Sequence, residues 1–106
     1  MRYEHQKTNV NAVKEAITPY DFYMREQNLS KYNTKSCLWV IAGLCPFHSD
    51  HKSGSFKVNL KTGAYKCWSC GASGGDIIDF VQKRDDMDFL EALRSLAKDW
   101  GVHCDY

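Results

Sequence analysis

Two features are absent from this sequence, and each absence excludes a class of protein. No run of about 18 uncharged apolar residues is present, so no segment is suited to span a bilayer. The first residues, MRYEHQKTNVN, are polar and lack the apolar stretch that a secretory signal requires. We therefore expect a cytoplasmic protein without a membrane partner. With 106 residues and two prolines, the chain predicts a single domain over residues 1–106, too small for a complete polymerase or ATPase site.

Cysteine, by contrast, is abundant for so short a chain. There are five cysteines, an odd number, and a reducing cytoplasm disfavours structural disulfides, so the clustered ones are predicted to bind metal. Cys37 and Cys104 have no neighbour at ligand spacing. We expect Cys37 to pack within an apolar strand and Cys104 to lie exposed near the end of the sequence.

The hydrophobic pattern changes twice along the chain. From about 10 to 27 it has a helical period interrupted at Thr18, whose sequence context is typical of a helix N-cap, so two short helices are predicted there. From about 37 to 75 short alternating runs separated by turns predict a small antiparallel sheet. From about 76 to 100 the helical period returns, with Asp88 as a predicted N-cap. The predicted fold class is α+β, a small antiparallel sheet flanked by N-terminal and C-terminal helices.

Residue alternation predicts which side chains of these elements face the core. Three strands are predicted, at 38–42, 55–60 and 64–68. In the second strand Phe56, Val58 and Leu60 share the core face, so Lys57 and Asn59 between them are predicted to face solvent. In the last helix the predicted core stripe consists of Phe89, Leu93, Leu96, Ala97 and Trp100.

Two pairs of potential metal ligands stand at equal spacing. Cys45 and His48, and likewise Cys67 and Cys70, are separated by two residues, and a predicted hairpin joins the pairs. Two ligands at a tight turn bind one ion from the same side, and the hairpin brings the second turn to meet the first. Three thiolates and one imidazole form a closed tetrahedral shell, so the spacing predicts one structural Zn²⁺ that supplements the small core.

The fourth ligand position has a second candidate. His51 competes with His48, because both follow Cys45 closely, but the two-residue gap of His48 matches that of the other pair and favours it. A catalytic zinc of a hydrolase or deaminase requires an open coordination position and a nearby glutamate. The closed ligand set argues against that chemistry.

Several sequence blocks carry a resemblance to a known family. They are GLCPFH at 43–48, SFKV at 55–58, YKCWSCG at 65–71, GGD at 74–76 and DFLEAL at 88–93. In this order, over about residues 10–101, they closely resemble the N-terminal zinc-binding domain of bacterial-type, DnaG-like DNA primases. The resemblance implies a zinc ribbon that contacts single-stranded template and helps a primase choose where to start. It does not include a catalytic polymerase core, so we expect no catalysis from this chain alone.

The middle of the chain is basic although the net charge is only +1. Six lysines and one acid between residues 30 and 66 give +5, and the flanks carry −4, which indicates a surface for a polyanion. Lysines contact phosphates and exposed aromatics stack on unpaired bases, which suits single-stranded nucleic acid better than a duplex groove. Phe47 and Tyr65 could also stack, although the small core favours both as interior residues. The predicted nucleic-acid contacts are Lys52, Lys57, Asn59, Lys61, Lys66 and Trp68.

Two further groups suggest ligand sites and are interpreted otherwise. The glycine-rich run 71–76 leads into a helix but has neither the lysine nor the spacing of a P-loop, which favours a tight turn after the second ligand pair. Asp85, Asp86 and Asp88 precede a helix, where capping and solvation explain them more simply than a magnesium site. No catalytic residue is therefore assigned.

Two functions remain open. The first is a zinc-dependent module of replication priming that binds single-stranded DNA template and serves a catalytic primase or polymerase, with a replicative helicase as a further candidate partner. The catalytic part is either a separate chain or the remainder of a longer primase. The second is a protein-interaction adaptor that uses the zinc ribbon as a scaffold and docks a partner through its C-terminal helix or the surface of Tyr20, Phe22, Tyr23 and Met24.

Overall fold

The computed structural model of the chain describes residues 2–29, 39–49 and 54–103. Within these ranges it contains four helices and one four-stranded sheet, so the predicted α+β class is confirmed. The elements in chain order are α1 (Arg2–Ala16), α2 (Pro19–Gln27), β1 (Trp39–Ile41), β2 (Phe56–Asn59), β3 (Tyr65–Cys67), β4 (Ser73–Gly74), α3 (Ile77–Asp85) and α4 (Phe89–Asp99). None of the helices has both the length and the apolar character needed to cross a bilayer.

The sheet is antiparallel throughout, and its strands lie in the order β1, β2, β3, β4. The register places Val58 beside Val40 and Tyr65, and Lys57 beside Lys66. Directly opposed residues share one face of a sheet, so the first three side chains line the inner, buried face, and the two lysines lie on the outer face.

Side-chain caps fix the starts of three helices. Thr18 Oγ1 accepts a hydrogen bond from the Asp21 amide (3.1 Å) and starts α2, as the sequence predicts. Asp76 caps α3 in the same way, and Asp88 with Glu91 forms a reciprocal capping box at α4. The first helix begins at residue 2, earlier than the predicted start near residue 10.

An aromatic cluster fills the space between the helices and the inner face of the sheet. Phe80 of α3 is fully buried at its centre. The rings with centroids 5.3 to 6.0 Å from that of Phe80 belong to Phe22, Tyr23, Phe47, Phe56 and Tyr65. They come from α2, the loop after β1, and strands β2 and β3. The Phe80 ring therefore links α3 to each of these parts of the fold.

The core stripe predicted for α4 holds except at one end. Leu93, Leu96 and Ala97 are buried, and Trp100 packs against the core. Phe89 is 39% exposed, because it is the first residue of the helix and lies at the edge of the packed layer. The prediction that Phe89 faces the core is therefore wrong.

Candidate metal centre and outer sheet face

The loop that carries the first ligand pair is held to the end of α2. The Gln27 side-chain amide donates hydrogen bonds to the carbonyl oxygens of Ala42 (3.0 Å) and Leu44 (2.7 Å). Between them Gly43 has a positive φ of 64°, and a Cβ at this position would collide with the Gln27 carbonyl oxygen. Glycine at 43 therefore lets the chain pass close to α2, which places Cys45 at the candidate metal centre.

The four predicted ligands converge on one point. Their donor atoms, from Cys45, His48, Cys67 and Cys70, all lie within 4.8 Å of one another. The Sγ atoms of Cys45 and Cys70 are 3.8 Å apart, and Cys67 Sγ lies 3.9 Å from Nδ1 of His48. Two sulfurs bound to one zinc at tetrahedral angles lie about 3.8 Å apart, so the donor set fits this ion.

Backbone amides turn toward two of the sulfurs. Phe47 N–H donates to Cys45 Sγ (3.4 Å), and Cys70 N–H donates to Cys67 Sγ (3.5 Å). Burial raises the pKa of the Cys45 thiol to about 12, and the adjacent Cys67 and Cys70 sulfurs add to that rise. Burial also opposes ionisation of Cys67, but amide donors from Cys70 and Ser69 hold its pKa below the usual value. Three adjacent thiolates therefore require a cation.

Some of the residues singled out from the sequence lie outside the described ranges. They are Cys37, His51, Lys52 and Cys104. The choice between His48 and His51 consequently rests on the observed position of His48 beside Cys67.

Beyond the metal centre, the outer face of the sheet is basic and carries an exposed indole. Lys57 of β2 and Lys66 of β3 are register partners, and both reach over the ring of Trp68. Their Nζ atoms lie 5.7 and 5.1 Å from the ring centroid, within cation–π range. Trp68 itself stands between two ligands of the metal centre and is 58% exposed. The structure thus brings three of the predicted nucleic-acid contacts together.

Trp39 is a member of this surface that the sequence prediction missed. It is 40% exposed, and its ring centroid lies 6.1 Å from that of Trp68 with an interplanar angle of 89°. The strand alternation contained the signal, because Val40 and Ala42 are buried and the residues between and before them must point outward.

Asn59 corrects the predicted surface. Its exposed fraction is 8%, and its Oδ1 accepts hydrogen bonds from the amides of Lys61 (2.8 Å) and Thr62 (3.0 Å). The prediction that Asn59 faces solvent is wrong, because the side chain folds back to close the β2–β3 turn. Lys61 is exposed in that turn, beyond the end of β2.

The acidic and glycine-rich groups have structural partners, as interpreted from the sequence. Asp76 pairs with Lys14 (2.9 Å) while capping α3, and Asp85 pairs with Arg84 (3.0 Å). The run 71–76 is more than a turn, because Ser73–Gly74 forms β4. A Cβ at Gly74 would collide with the Tyr65 ring and the Asp79 carboxylate, so only glycine allows this strand to approach β3.

Comparison with known proteins identifies the family to which this chain belongs. The family model described as the CHC2 zinc finger, of the DnaG-type zinc ribbon, matches residues 5–106, which is almost the entire chain. The resemblance noted from the sequence is therefore confirmed.

Individual relatives agree with this family match. A DNA primase of Streptomyces coelicolor is 39% identical over 102 residues, covering 92% of this chain and 14% of that protein. A DNA primase of Deinococcus radiodurans is 45% identical over 65 residues, covering 61% of this chain and 11% of that protein. The crystal structure of the Aquifex aeolicus primase, with zinc-binding and RNA polymerase domains, matches 92% of this chain and 22% of its own length, with a TM-score of 0.69 and 31% identity. The chain thus spans a small part of each relative.

Proposed function

We propose, from the premise that this chain belongs to the CHC2 zinc finger family of DnaG-type primases, that it binds single-stranded DNA template for replication priming. The observation that carries the proposal is the outer sheet face, where two lysines and an exposed tryptophan lie next to a four-ligand metal centre. This combination suits a strand whose phosphates and unpaired bases are both accessible.

The metal centre supports the surface. Cys45, His48, Cys67 and Cys70 are the proposed ligands of one Zn²⁺, whose chemistry there is structural because four protein donors leave no position for water. Cys67 ends β3 and Trp68 follows it directly, so the ion would fix the turn on which the indole stands. The three thiolates and one imidazole leave the centre with a formal charge of −1, which offsets part of the positive charge of the adjacent lysines.

Lys57, Lys61 and Lys66 are the proposed phosphate contacts, and Trp68 is the proposed stacking platform. Lys57 and Lys66 stand side by side on the sheet, whereas Lys61 extends the basic surface toward the β2–β3 turn. Lys52 remains a predicted contact from its place in the basic segment. Asn59 is withdrawn from the set because it is buried.

Catalysis is assigned to a partner. The relatives named DNA primases are much longer than this chain, so the nucleotidyl transfer is proposed to occur in a catalytic primase part, on another chain or elsewhere in the same polypeptide. A replicative helicase is a second proposed partner, and a cytoplasmic setting without membrane contact stays a prediction.

The test is a titration of the zinc-loaded protein into labelled single-stranded and duplex oligonucleotides at two salt concentrations. We expect saturable binding that prefers single strands and weakens with salt. Removing one phosphate contact should reduce the salt slope by about 0.7, so Lys57→Ala and Lys66→Ala should each lower it. Lys98→Ala, on the exposed side of α4, serves as the matched control and should leave the slope unchanged.

The adaptor function keeps one observation in its favour. Tyr20 and Met24 on α2 are exposed, whereas Phe22 and Tyr23 of the same predicted surface are buried, so two of its four residues are available to a partner. If neither oligonucleotide binds even at low salt, template binding by the isolated domain is contradicted and the adaptor becomes the better interpretation.

A further inference from the structure

We infer that Trp39 and Trp68 form a corner that holds one unpaired base of the template by stacking. The inference rests on the proposed function and deepens it, because it names the part of the nucleic acid that is recognised. It adds Trp39, which is not among the nucleic-acid contacts predicted from the sequence. Its basis is the convergence of two exposed indoles over the outer face of the sheet.

The two indoles approach one another from distant backbone positions. Trp39 is the register partner of Asn59, whereas the Trp68 amide donates to the carbonyl of Ser55 (2.9 Å). Asn59 and Ser55 are four positions apart along the chain, a distance of about 13 Å in extended strand. The ring centroids are nevertheless 6.1 Å apart. Both side chains therefore lean across the outer face toward a common point.

The angle between the rings suits a planar guest. The indoles are almost perpendicular, at 89°, so a base lying flat against one of them presents its edge to the face or edge of the other. Stacked and edge-to-face contacts are both favourable arrangements of aromatic rings. With 40% and 58% of their surface exposed, Trp39 and Trp68 retain area on which a base can be buried.

The lysines on Trp68 place positive charge next to this corner. Nζ of Lys57 and Nζ of Lys66 lie 5.7 and 5.1 Å from the Trp68 ring centroid. Phosphates flank a stacked base on both sides, so these ammonium groups can bind the backbone while the base occupies the corner. A duplex cannot offer an unpaired base, and its affinity would come from charge alone.

The inference predicts an order of affinities. Base–aromatic stacking contributes about 5- to 150-fold per base, and a purine has more stacking area than a pyrimidine. We therefore expect oligo-dA and oligo-dT both to bind more tightly than an abasic oligonucleotide of the same length and charge. This comparison uses the unaltered zinc-loaded protein.

Two substitutions then test whether the two indoles cause the difference in affinity between oligo-dA and the abasic strand. Trp39→Ala and Trp68→Ala should each lower the affinity for oligo-dA at least fivefold and change the affinity for the abasic strand little. Phe89→Ala is the matched control, because Phe89 is 39% exposed, almost the same fraction as Trp39, but lies on α4. Zinc content and the thermal unfolding midpoint show whether each variant is folded.

The outcomes separate this inference from the proposed function. Equal affinity for the abasic and base-containing strands on the unaltered protein overturns the corner but leaves charge-driven template binding intact. The same holds if base-dependent binding survives in folded Trp39→Ala. Absence of binding to every oligonucleotide overturns both proposals. If Trp39→Ala does not fold, Trp39→Phe replaces it, and its smaller ring should give an intermediate loss of affinity for oligo-dA.

Discussion

Among single side chains, Asn59 shows how a local hydrogen bond overrides strand alternation. Its position in β2 places it on the face of Lys57, yet its amide oxygen is used by two backbone N–H groups of the following turn. Asparagine is favoured in turns for this reason. A buried polar atom that closes a turn has a role in stability and is not available to a ligand.

Removing this acceptor should destabilise the domain without affecting DNA binding. Asn59→Ala leaves the amides of Lys61 and Thr62 without their partner, and we expect a loss of about 1–2 kcal/mol in the free energy of unfolding. Asn59→Asp keeps the acceptor and should lose less. Denaturant titration measures the stability, and the affinity of folded Asn59→Ala for single-stranded DNA should equal that of the unaltered protein. A reduced affinity would return Asn59 to the contact surface.

The convergence of the four proposed metal ligands was predictable from the sequence, whereas the make-up of the outer sheet face was predictable only in part. Ligand spacing is a local property of two turns, and the four donors meet as the spacing requires. The proximity of Trp39 to Trp68 depends on how two long side chains lean across three strands. Sequence spacing contains no information about that direction.

Among the helices and strands, α4 has an N-terminus that is capped by two reciprocal hydrogen bonds. Asp88 Oδ1 accepts from the Glu91 amide (2.8 Å), and Glu91 Oε1 accepts from the Asp88 amide (3.0 Å). Asp88→Ala removes one half of this box and should destabilise the domain by about 1 kcal/mol. Asp88→Ser, which keeps a side-chain oxygen acceptor at the N-cap, is the matched control. Equal unfolding midpoints for the two variants in denaturant would contradict a capping role.

The short strand β4 depends on a glycine. Gly74→Ala places a methyl group against the Tyr65 ring and the Asp79 carboxylate, which are joined by a hydrogen bond of 2.5 Å. We expect a loss of about 1–3 kcal/mol from overpacking. Gly75→Ala is the matched control, because a Cβ there meets no atom within 4 Å. Thermal unfolding of both variants provides the measurement, and an equal midpoint would show that β4 tolerates a side chain.

Sequence patterning predicted the helices, although it placed the start of α1 too late, and it failed on the shortest strand. The starts of α2 and α4 follow from Thr18 and Asp88, whose caps are chemically explicit in the sequence. β4 has two residues, too few for any alternation, and it forms because Gly74 fits beside Tyr65. Tertiary packing decided that element, and no local signal announces it.

Over the fold as a unit, the loop of the candidate metal centre packs directly against the aromatic core. Phe47 stands between two ligands, Cys45 and His48, and its ring stacks on Tyr65 at 5.3 Å while contacting Phe80 at 5.6 Å. A change at the metal centre therefore reaches the aromatic core directly. The predicted requirement for a metal in a small domain has its physical basis in this contact.

Removing the metal should accordingly unfold more than the ligand loops. We expect a chelator to abolish cooperative thermal unfolding and base-dependent DNA binding together, and zinc re-addition to restore both. Circular dichroism in the aromatic region reports the packing around Phe80, and anisotropy reports binding. If the metal-free chain keeps its aromatic signal and a cooperative transition, the metal centre is dispensable for the core.

The position of Phe80 in the chain also decides when the domain is able to fold during its synthesis. Phe22 and Tyr23 leave the ribosome first, and the ring on which both pack is added only later. At synthesis rates of about 5 to 20 residues per second, roughly 3 to 11 s separate Tyr23 from Phe80. Cys70, the last proposed ligand, precedes Phe80 in the chain. The order of translation therefore allows metal capture before the core closes.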